Sequence, residues 1–262
     1  MKKLTSILLA ACAATALHAE GTSATGFYAG ANVGIANTNA KYTANSVNPA
    51  SDPTFATQNF KAETGKMGAL FGVFAGYGMS FAQGAYAGFE LSGGLDTTKF
   101  DAYNDSATTK SGFPKVTLKR TNFYGLAGRL GYMVTPSTLA YVKLGIEAGK
   151  WKADVTPNQI LSSGYYGTGS TTGTDATQIA NMKKTQSGSK NSLSFVPGVG
   201  FEMFLNKNLF LRAEYTYLFG PKVTVNQDAS YYRSDSYING EKLRHELKVT
   251  QHAFKLGMGY KF

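Results

Sequence analysis

The chain has 262 residues, 13% aromatic and 16% charged, with 30 Gly and a formal charge of +10 at pH 7. Its 17 Phe and 16 Tyr exclude a disordered chain, because so much aromatic surface drives collapse. The region after the N-terminus has no apolar run of the roughly 18 residues that a membrane helix needs, and its Gly, Tyr, Phe and Thr suit strands and turns in a single domain.

Residues 1–19 read as a secretory signal peptide and 20–262 as the mature domain. Lys2 and Lys3 form the basic start, Leu4 to Leu17 the apolar region, and Ala19 the small residue before cleavage ahead of Glu20. Leu9-Ala10-Ala11-Cys12 also resembles a lipobox, at which Cys12 would be lipidated; that would cut the signal unusually short. Cys12 is the only cysteine, so cleavage after Ala19 leaves no thiol and no disulfide. Loss of Lys2 and Lys3 lowers the charge from +10 to +8. The remaining basic residues are scattered between aromatic segments, without a long basic run or recognition motif, so nucleic acid is not an expected partner. On a bacterial surface they would face anionic lipopolysaccharide phosphates.

From Gly26 onward the sequence alternates with period two, the pattern of strands with two different faces. In chain order, the first segment sets Phe27, Ala29, Ala31, Val33 and Ile35 against Tyr28, Gly30, Asn32 and Gly34. The second sets Met67, Ala69, Phe71, Val73, Ala75 and Tyr77 against small residues including Gly68, Gly72 and Gly76. Ala85 to Leu91, Tyr124 to Tyr132 and Ala140 to Ile146 follow, with Glu90, Arg129, Lys143 and Glu147 on their second faces. Leu193 to Met203, Leu209 to Tyr217 and Phe254 to Phe262 complete the set, with Glu202, Arg212, Glu214 and Lys255 opposed to their apolar residues.

Each segment reaches the roughly 9–11 residues of a tilted membrane strand. A soluble β-sandwich alternates too, with its apolar face inward. Here the second face is crowded with Gly and sparse in charge, and aromatic residues gather near segment ends (Phe27, Tyr77, Tyr132, Tyr217, Tyr260), as in the girdles of membrane barrels. Short links through Phe81 to Gly84, Thr135 to Ser137 and Asn206 to Asn208 alternate with long ones, roughly residues 37–65, 96–115, 152–190 and 220–247. Short periplasmic turns and long external loops have this layout. The expected fold is therefore all-β: an eight-stranded antiparallel transmembrane barrel, closed because open edges in lipid leave backbone groups unpaired. A ten-stranded ring is the alternative if Lys222 to Val225, or part of 152–190, adds a hairpin.

On the expected lumen face sit Glu90, Arg129, Lys143, Glu147, Glu202, Arg212, Glu214 and Lys255. An eight-stranded cylinder is only just wide enough for side chains to fill it, and unpaired charges there are costly. The balanced set predicts an internal ion-pair network. It would act as a polar plug; a gate or ion path is the competing role.

At the C-terminus Phe254, Leu256, Met258, Tyr260 and Phe262 form an alternating motif that resembles the β-signal read by the barrel assembly machinery. With the opening Gly26 to Gly34 and Gly88 to Leu91, it makes the chain similar to the small outer-membrane barrels of the OmpA-like, opacity-protein and surface-antigen superfamily. That resemblance covers the mature chain. It implies an outer-membrane location in a Gram-negative envelope, contact with membrane lipid, and a role as surface antigen, adhesin or structural barrel. The chain ends on the last strand, so the cell-wall anchoring of full-length OmpA is not implied.

No catalytic constellation, cofactor motif or metal-ligand spacing is evident, and no enzyme is expected. His245, beside Glu246, reads as a solvated residue at the end of the fourth loop; His252 opens the last strand on its lipid-facing parity. Recognition would fall to the loops, where Tyr231, Tyr232, Arg233 and Tyr237 form an aromatic–Arg cluster suited to a host surface ligand. The alternative for these tyrosines is packing at the membrane rim. A narrow channel for ions or small solutes is the second functional reading.

Overall fold

The computed structural model describes residues 24–46, 60–81, 84–103, 115–156, 185–228, 231–233, 236–238 and 242–262. Its strands are β1 (Gly26–Ser46), β2 (Phe60–Ser80), β3 (Ala85–Asp96), β4 (Lys99–Tyr103), β5 (Lys115–Thr135), β6 (Thr138–Thr156), β7 (Gln186–Phe204), β8 (Leu209–Asp228), β9 (Tyr231–Arg233), β10 (Ser236–Ile238) and β11 (Lys242–Lys261). β3 and β4 are successive pieces of one wall strand and both pair with β5. β11 pairs with both β8 and β1, and β3 with both β2 and β5, so an antiparallel ring of eight wall strands closes.

The tight turns have local causes. Gly84 supplies a φ of +84° in the β2–β3 link, which a side chain would strain. Between β7 and β8, Asn206 Oδ1 accepts from the backbone N–H groups of Asn208 and Leu209 at 2.9 and 2.7 Å, an Asx-type turn.

The ring is eight-stranded, which removes the ten-stranded alternative. Lys222 to Val225 lies inside β8, paired with β11. The extra hairpin, β9–β10, is a separate two-stranded sheet. The long links are also shorter than expected, because the strands continue into them: β1, β2 and β5 each have 21 residues, about twice what crossing a membrane requires.

The two halves of these long strands have opposite polarity. Toward the tight turns the outer face is apolar: Phe27, Val33, Phe71, Phe89, Leu130, Leu144, Phe201 and Met258 are all exposed. A continuous belt of this kind is stable against lipid, not water. Beyond Ile35, Ile146, Phe219 and His252 the outer face turns polar, with Lys41, Lys150, Lys222, Arg244 and Lys248 exposed. There the inner face becomes apolar. Tyr42, Val116, Leu118, Trp151, Val155, Val223, Leu247 and Val249 belong to one buried cluster. This upper part, which we call the stalk, buries its apolar side as a soluble protein does.

Two bulges set the change. On β5, Thr121 and Asn122 oppose the single Lys150, and on β8, Gly220 and Pro221 oppose the single Val249. Each two-against-one step reverses which parity faces inward. Pairing of β2 with β3 reaches Leu70 opposite Asp96, with one further bond from Thr97 N–H to Ala69 O at 3.0 Å; that of β7 with β8 reaches Phe195 opposite Phe219. Among the described residues neither ladder continues above. The hydrogen-bonded ladders of the stalk thus form two sheets, β2–β1–β11–β8 and β4–β5–β6–β7, on either side of the apolar cluster. Their edges are still adjacent where Gly68 lies against Thr98 and Gly188 against Thr224. The inward apolar face of a sandwich is present here, but only in the stalk.

Candidate functional site

The lumen is filled in layers. Nearest the tight turns, Tyr28, Phe74, Tyr86, Leu139, Tyr141, Phe204 and Phe210 form a buried, mostly aromatic cluster. The glycines opposite make room for it: the Tyr141 ring lies against Gly200 and the Tyr28 hydroxyl against Gly76. Leu70 and Phe74, on the glycine-rich face of β2, point inward and are buried.

Above the aromatics lie the charges. Arg129 Nη2 and Arg212 Nη2 both donate to Glu202 Oε1 at 2.6 Å. Arg212 Nη1 donates to Glu90 Oε2 at 2.7 Å. Lys143 Nζ joins Glu90 Oε1 at 2.9 Å to Glu214 Oε1 at 3.1 Å. Tyrosine hydroxyls complete the set: Tyr28 donates to Glu90 Oε2 at 3.2 Å, and Tyr141 to Glu214 Oε2 at 3.0 Å. The two guanidiniums also lie over rings, Arg129 at 3.9 Å from the Tyr141 centroid and Arg212 at 3.8 Å from that of Phe74. Such pairing and stacking offset the desolvation that burial imposes.

A third layer marks the level of the β5 bulge. Arg120 pairs with Glu147, and its Nη1 donates to Gln251 Oε1 at 3.3 Å. Gln251 Nε2 donates to Thr38 Oγ1 at 2.7 Å and Asp96 Oδ2 at 2.8 Å. Lys255 lies between this layer and the one below, 3.9 Å from Glu214 and 5.7 Å from the Phe123 ring centroid. All eight lumen residues singled out from the sequence are buried on the inner wall. Among the described residues two further buried charges were missed, Asp96 and Arg120, as was the uncharged Gln251 that joins them. Asp96 fell at the edge of an expected loop, and the bulge reverses the parity that would have marked Arg120.

His245 corrects the sequence expectation. It is not solvated beside Glu246; only 1% of it is exposed. The β11 alternation carries on into the stalk and turns it inward, where its Nδ1 shares a 2.7 Å hydrogen bond with the Tyr42 hydroxyl. Burial pushes the imidazole down to about 4, so it is neutral near pH 7. His252 lies on the outer wall, 2.6 Å from the Tyr215 hydroxyl and beside the Tyr217 ring. Among the described residues no group of three His, Cys, Asp or Glu is placed to hold a metal ion.

Phe254, Leu256, Met258, Tyr260 and Phe262 line the outer wall of the ring-closing strand, and the Phe262 N–H donates to Phe27 O at 2.9 Å. In the β9–β10 hairpin Tyr237 pairs with Tyr232 and Ser236 with Arg233; the side chains of Tyr231, Tyr232, Arg233 and Tyr237 lie outside the described residues.

A lipid-exposed ring with a polar filling suits one environment, and the family comparison agrees: residues 5–262 match the family described as outer membrane protein beta-barrel domain. The chain belongs to that family. It is an integral outer-membrane β-barrel. Among solved structures, the outer membrane protein OprG of Pseudomonas aeruginosa is similar at 16% identity, with a TM-score of 0.52, 94% of this chain and 99% of that one covered. Neisserial surface protein A gives 14% identity, a TM-score of 0.38, and 91% and 98% coverage. The attachment invasion locus protein Ail of Yersinia pestis gives 13%, 0.36, and 88% and 98%. At these identities the likeness to OprG speaks for the shared outer-membrane barrel fold alone. No curated protein matches the chain.

Proposed function

We propose that this outer-membrane barrel is a closed, non-catalytic scaffold that holds a recognition platform at the cell surface, as an adhesin or surface antigen. The observation that carries this is the double closure of the lumen. An ion following the axis meets the Glu90–Arg129–Lys143–Glu202–Arg212–Glu214 cluster, and then the apolar core around Trp151, Leu118 and Leu247. The first barrier holds fixed charges in mutual bonds; the second offers no polar partner to a dehydrated ion. A bore of eight strands has no room to bypass either.

The long-strand end is the outward one on this reading. The stalk then carries the far ends of its strands clear of the membrane, and the β9–β10 hairpin with Tyr231, Tyr232, Arg233 and Tyr237 follows β8 at that end. Residues 1–19 act as a signal peptide, and Phe254 to Phe262 as the assembly signal. Planar-bilayer recording tests the closure: no stable conductance steps are expected, and a reproducible nanosiemens channel would replace this reading with the narrow-channel one. Deleting residues 226–240 is expected to abolish binding of intact cells to a host surface while the barrel still assembles; unchanged binding removes the adhesin role.

A further inference from the structure

Two rows of lysines cross the outer wall of the stalk, one on each sheet. Lys41 of β1 lies directly opposite Lys248 of β11, which lies directly opposite Lys222 of β8. On the other sheet Lys99 of β4 faces Lys119 of β5, which faces Lys152 of β6. Like charges directly opposed across a ladder are destabilising. Neutral polar residues would keep the wall soluble without that cost, so stability of the fold does not account for the rows.

Acidic neighbours compensate only in part. Glu63 is 2.8 Å from Lys41, Glu246 is 2.5 Å from Lys222 and 3.0 Å from Arg244, and Asp154 is 3.8 Å from Lys152. Among the described residues no carboxylate pairs with Lys248, Lys99 or Lys119. Each row is left with net positive charge on its flank, and each ammonium offers up to three donors.

The height of the rows selects the partner. Lys222 follows closely on Phe219, the last exposed aromatic of β8; across the bulge the two span only Thr250 to Lys248 on β11, so Lys222 stands roughly 5 Å further along the barrel axis, from strand rise and tilt. On the same basis Lys99 stands about 10 Å beyond Leu95, and Lys41 about 15 Å beyond Ile35. The ammonium groups therefore flank the zone immediately above the apolar belt, pointing sideways. A molecule anchored in the same leaflet reaches them at high effective concentration; a soluble polyanion would have to approach along the membrane surface.

We propose that the two lysine rows bind the phosphates of the outer leaflet's phosphorylated glycolipid, lipopolysaccharide, and seat it against the stalk. This rests on the reading that the stalk projects outward. The test uses the full mature barrel in detergent micelles, titrated with bisphosphorylated lipopolysaccharide and with the same glycolipid stripped of phosphate. The wild type is expected to bind the phosphorylated form at least about tenfold tighter, with an affinity that falls as salt rises. Lys222→Gln with Lys248→Gln, and Lys99→Gln with Lys119→Gln, should each remove most of that preference. These changes relieve repulsion, so heat-modifiable migration on a gel stays as in the wild type. Equal binding of the stripped glycolipid, or variants that bind like the wild type, overturns the proposal. So does tighter, lysine-dependent binding of a soluble sulfated polysaccharide, which would assign the rows to a different partner. Labelling of intact cells with a membrane-impermeant amine reagent separates the two readings. Rows shielded on intact cells but reactive in lysed ones defeat the outward orientation, even where binding in micelles persists.

Discussion

Tyr42 and His245 stack at 5.9 Å between ring centroids, with an interplanar angle of 13°, in the buried interior of the stalk. Their strands, β1 and β11, are neighbours in one sheet, and their 2.7 Å hydrogen bond joins positions far apart in sequence. Because burial depresses the His245 imidazole to about 4 from an ordinary 6.5, the stalk should respond to acid. Above pH 6.5 the ring is neutral in both folded and unfolded chains, and stability does not depend on it. Between pH 6.5 and about 4 the unfolded chain takes up a proton that the folded stalk refuses. Stability therefore falls with pH, by up to about 3 kcal/mol. Trp151, the only tryptophan, is buried in the stalk core and reports on it. Its denaturant-unfolding midpoint should drop across this window in the wild type and hold steadier in His245→Leu. A midpoint equally pH-dependent in both would assign the acid response to other groups.

Glu202 accepts from two guanidiniums at once, so its removal exposes more than one partner. Glu202→Ala leaves Arg129 and Arg212 short of an acceptor in a dry lumen, a situation that costs about 3–5 kcal/mol. Glu202→Gln retains one carbonyl acceptor and should cost less. Urea unfolding in lipid vesicles measures both. A loss below about 1 kcal/mol for Glu202→Ala would mean that water reaches the cluster and dissolves the argument for a closed bore.

Much of the barrel was readable because lipid forces the two faces of a strand to differ. Phe27 to Ile35 and Phe254 to Phe262 announce their outer sides without help from tertiary structure. The same contrast brought Glu90, Arg212 and six other charges to the inner wall. It failed where its premise ends. In the stalk water replaces lipid outside, so the apolar residues switch sides, and the bulges at Thr121-Asn122 and Gly220-Pro221 break the period at the crossing. A stretch such as Lys222 to Leu247 then looks like a loop, although most of it is strand. His245 was misplaced for that reason: beside Glu246 it resembles a surface pair, and only the continued parity of β11 turns it inward. Leu70 and Phe74 were overlooked because the glycines around them suggested a face of small residues.

The glycines themselves divide into two kinds. At Gly200 an added Cβ would run into the Tyr141 ring, the ring that carries Arg129 and the hydroxyl that reaches Glu214. Gly200→Ala should displace Tyr141 and destabilise the barrel by about 1–3 kcal/mol, the usual cost of overpacking. Gly128 is the converse. It opens on the lipid side in a groove lined by Leu126, Leu144, Ile146 and Phe195, with nothing within 4 Å of an added Cβ. Gly128→Ala should lie within about 0.5 kcal/mol of the wild type. Comparable losses at the two sites would contradict the packing described for the lumen.

Phe262 allows assembly to be separated from stability. Its side chain is 74% exposed on the outer wall and its backbone N–H bonds to Phe27 O, so the bond that helps close the ring does not depend on the ring system of the side chain. The other residues of the motif lie on the same outer wall, accessible to a machinery that approaches from the side. Phe262→Ala should therefore leave the refolded, purified barrel close to wild-type stability, within about 0.5 kcal/mol, as expected of a surface change. In cells the same variant should reach the outer membrane at a much lower level. Folded barrel in envelope fractions, detected by heat-modifiable migration, and urea unfolding of the refolded protein are the paired measurements. Normal cellular levels would remove Phe262 from the assembly signal. A matching loss of intrinsic stability would show that its role is to hold β11 against β1, and that slow assembly follows from a weak closure.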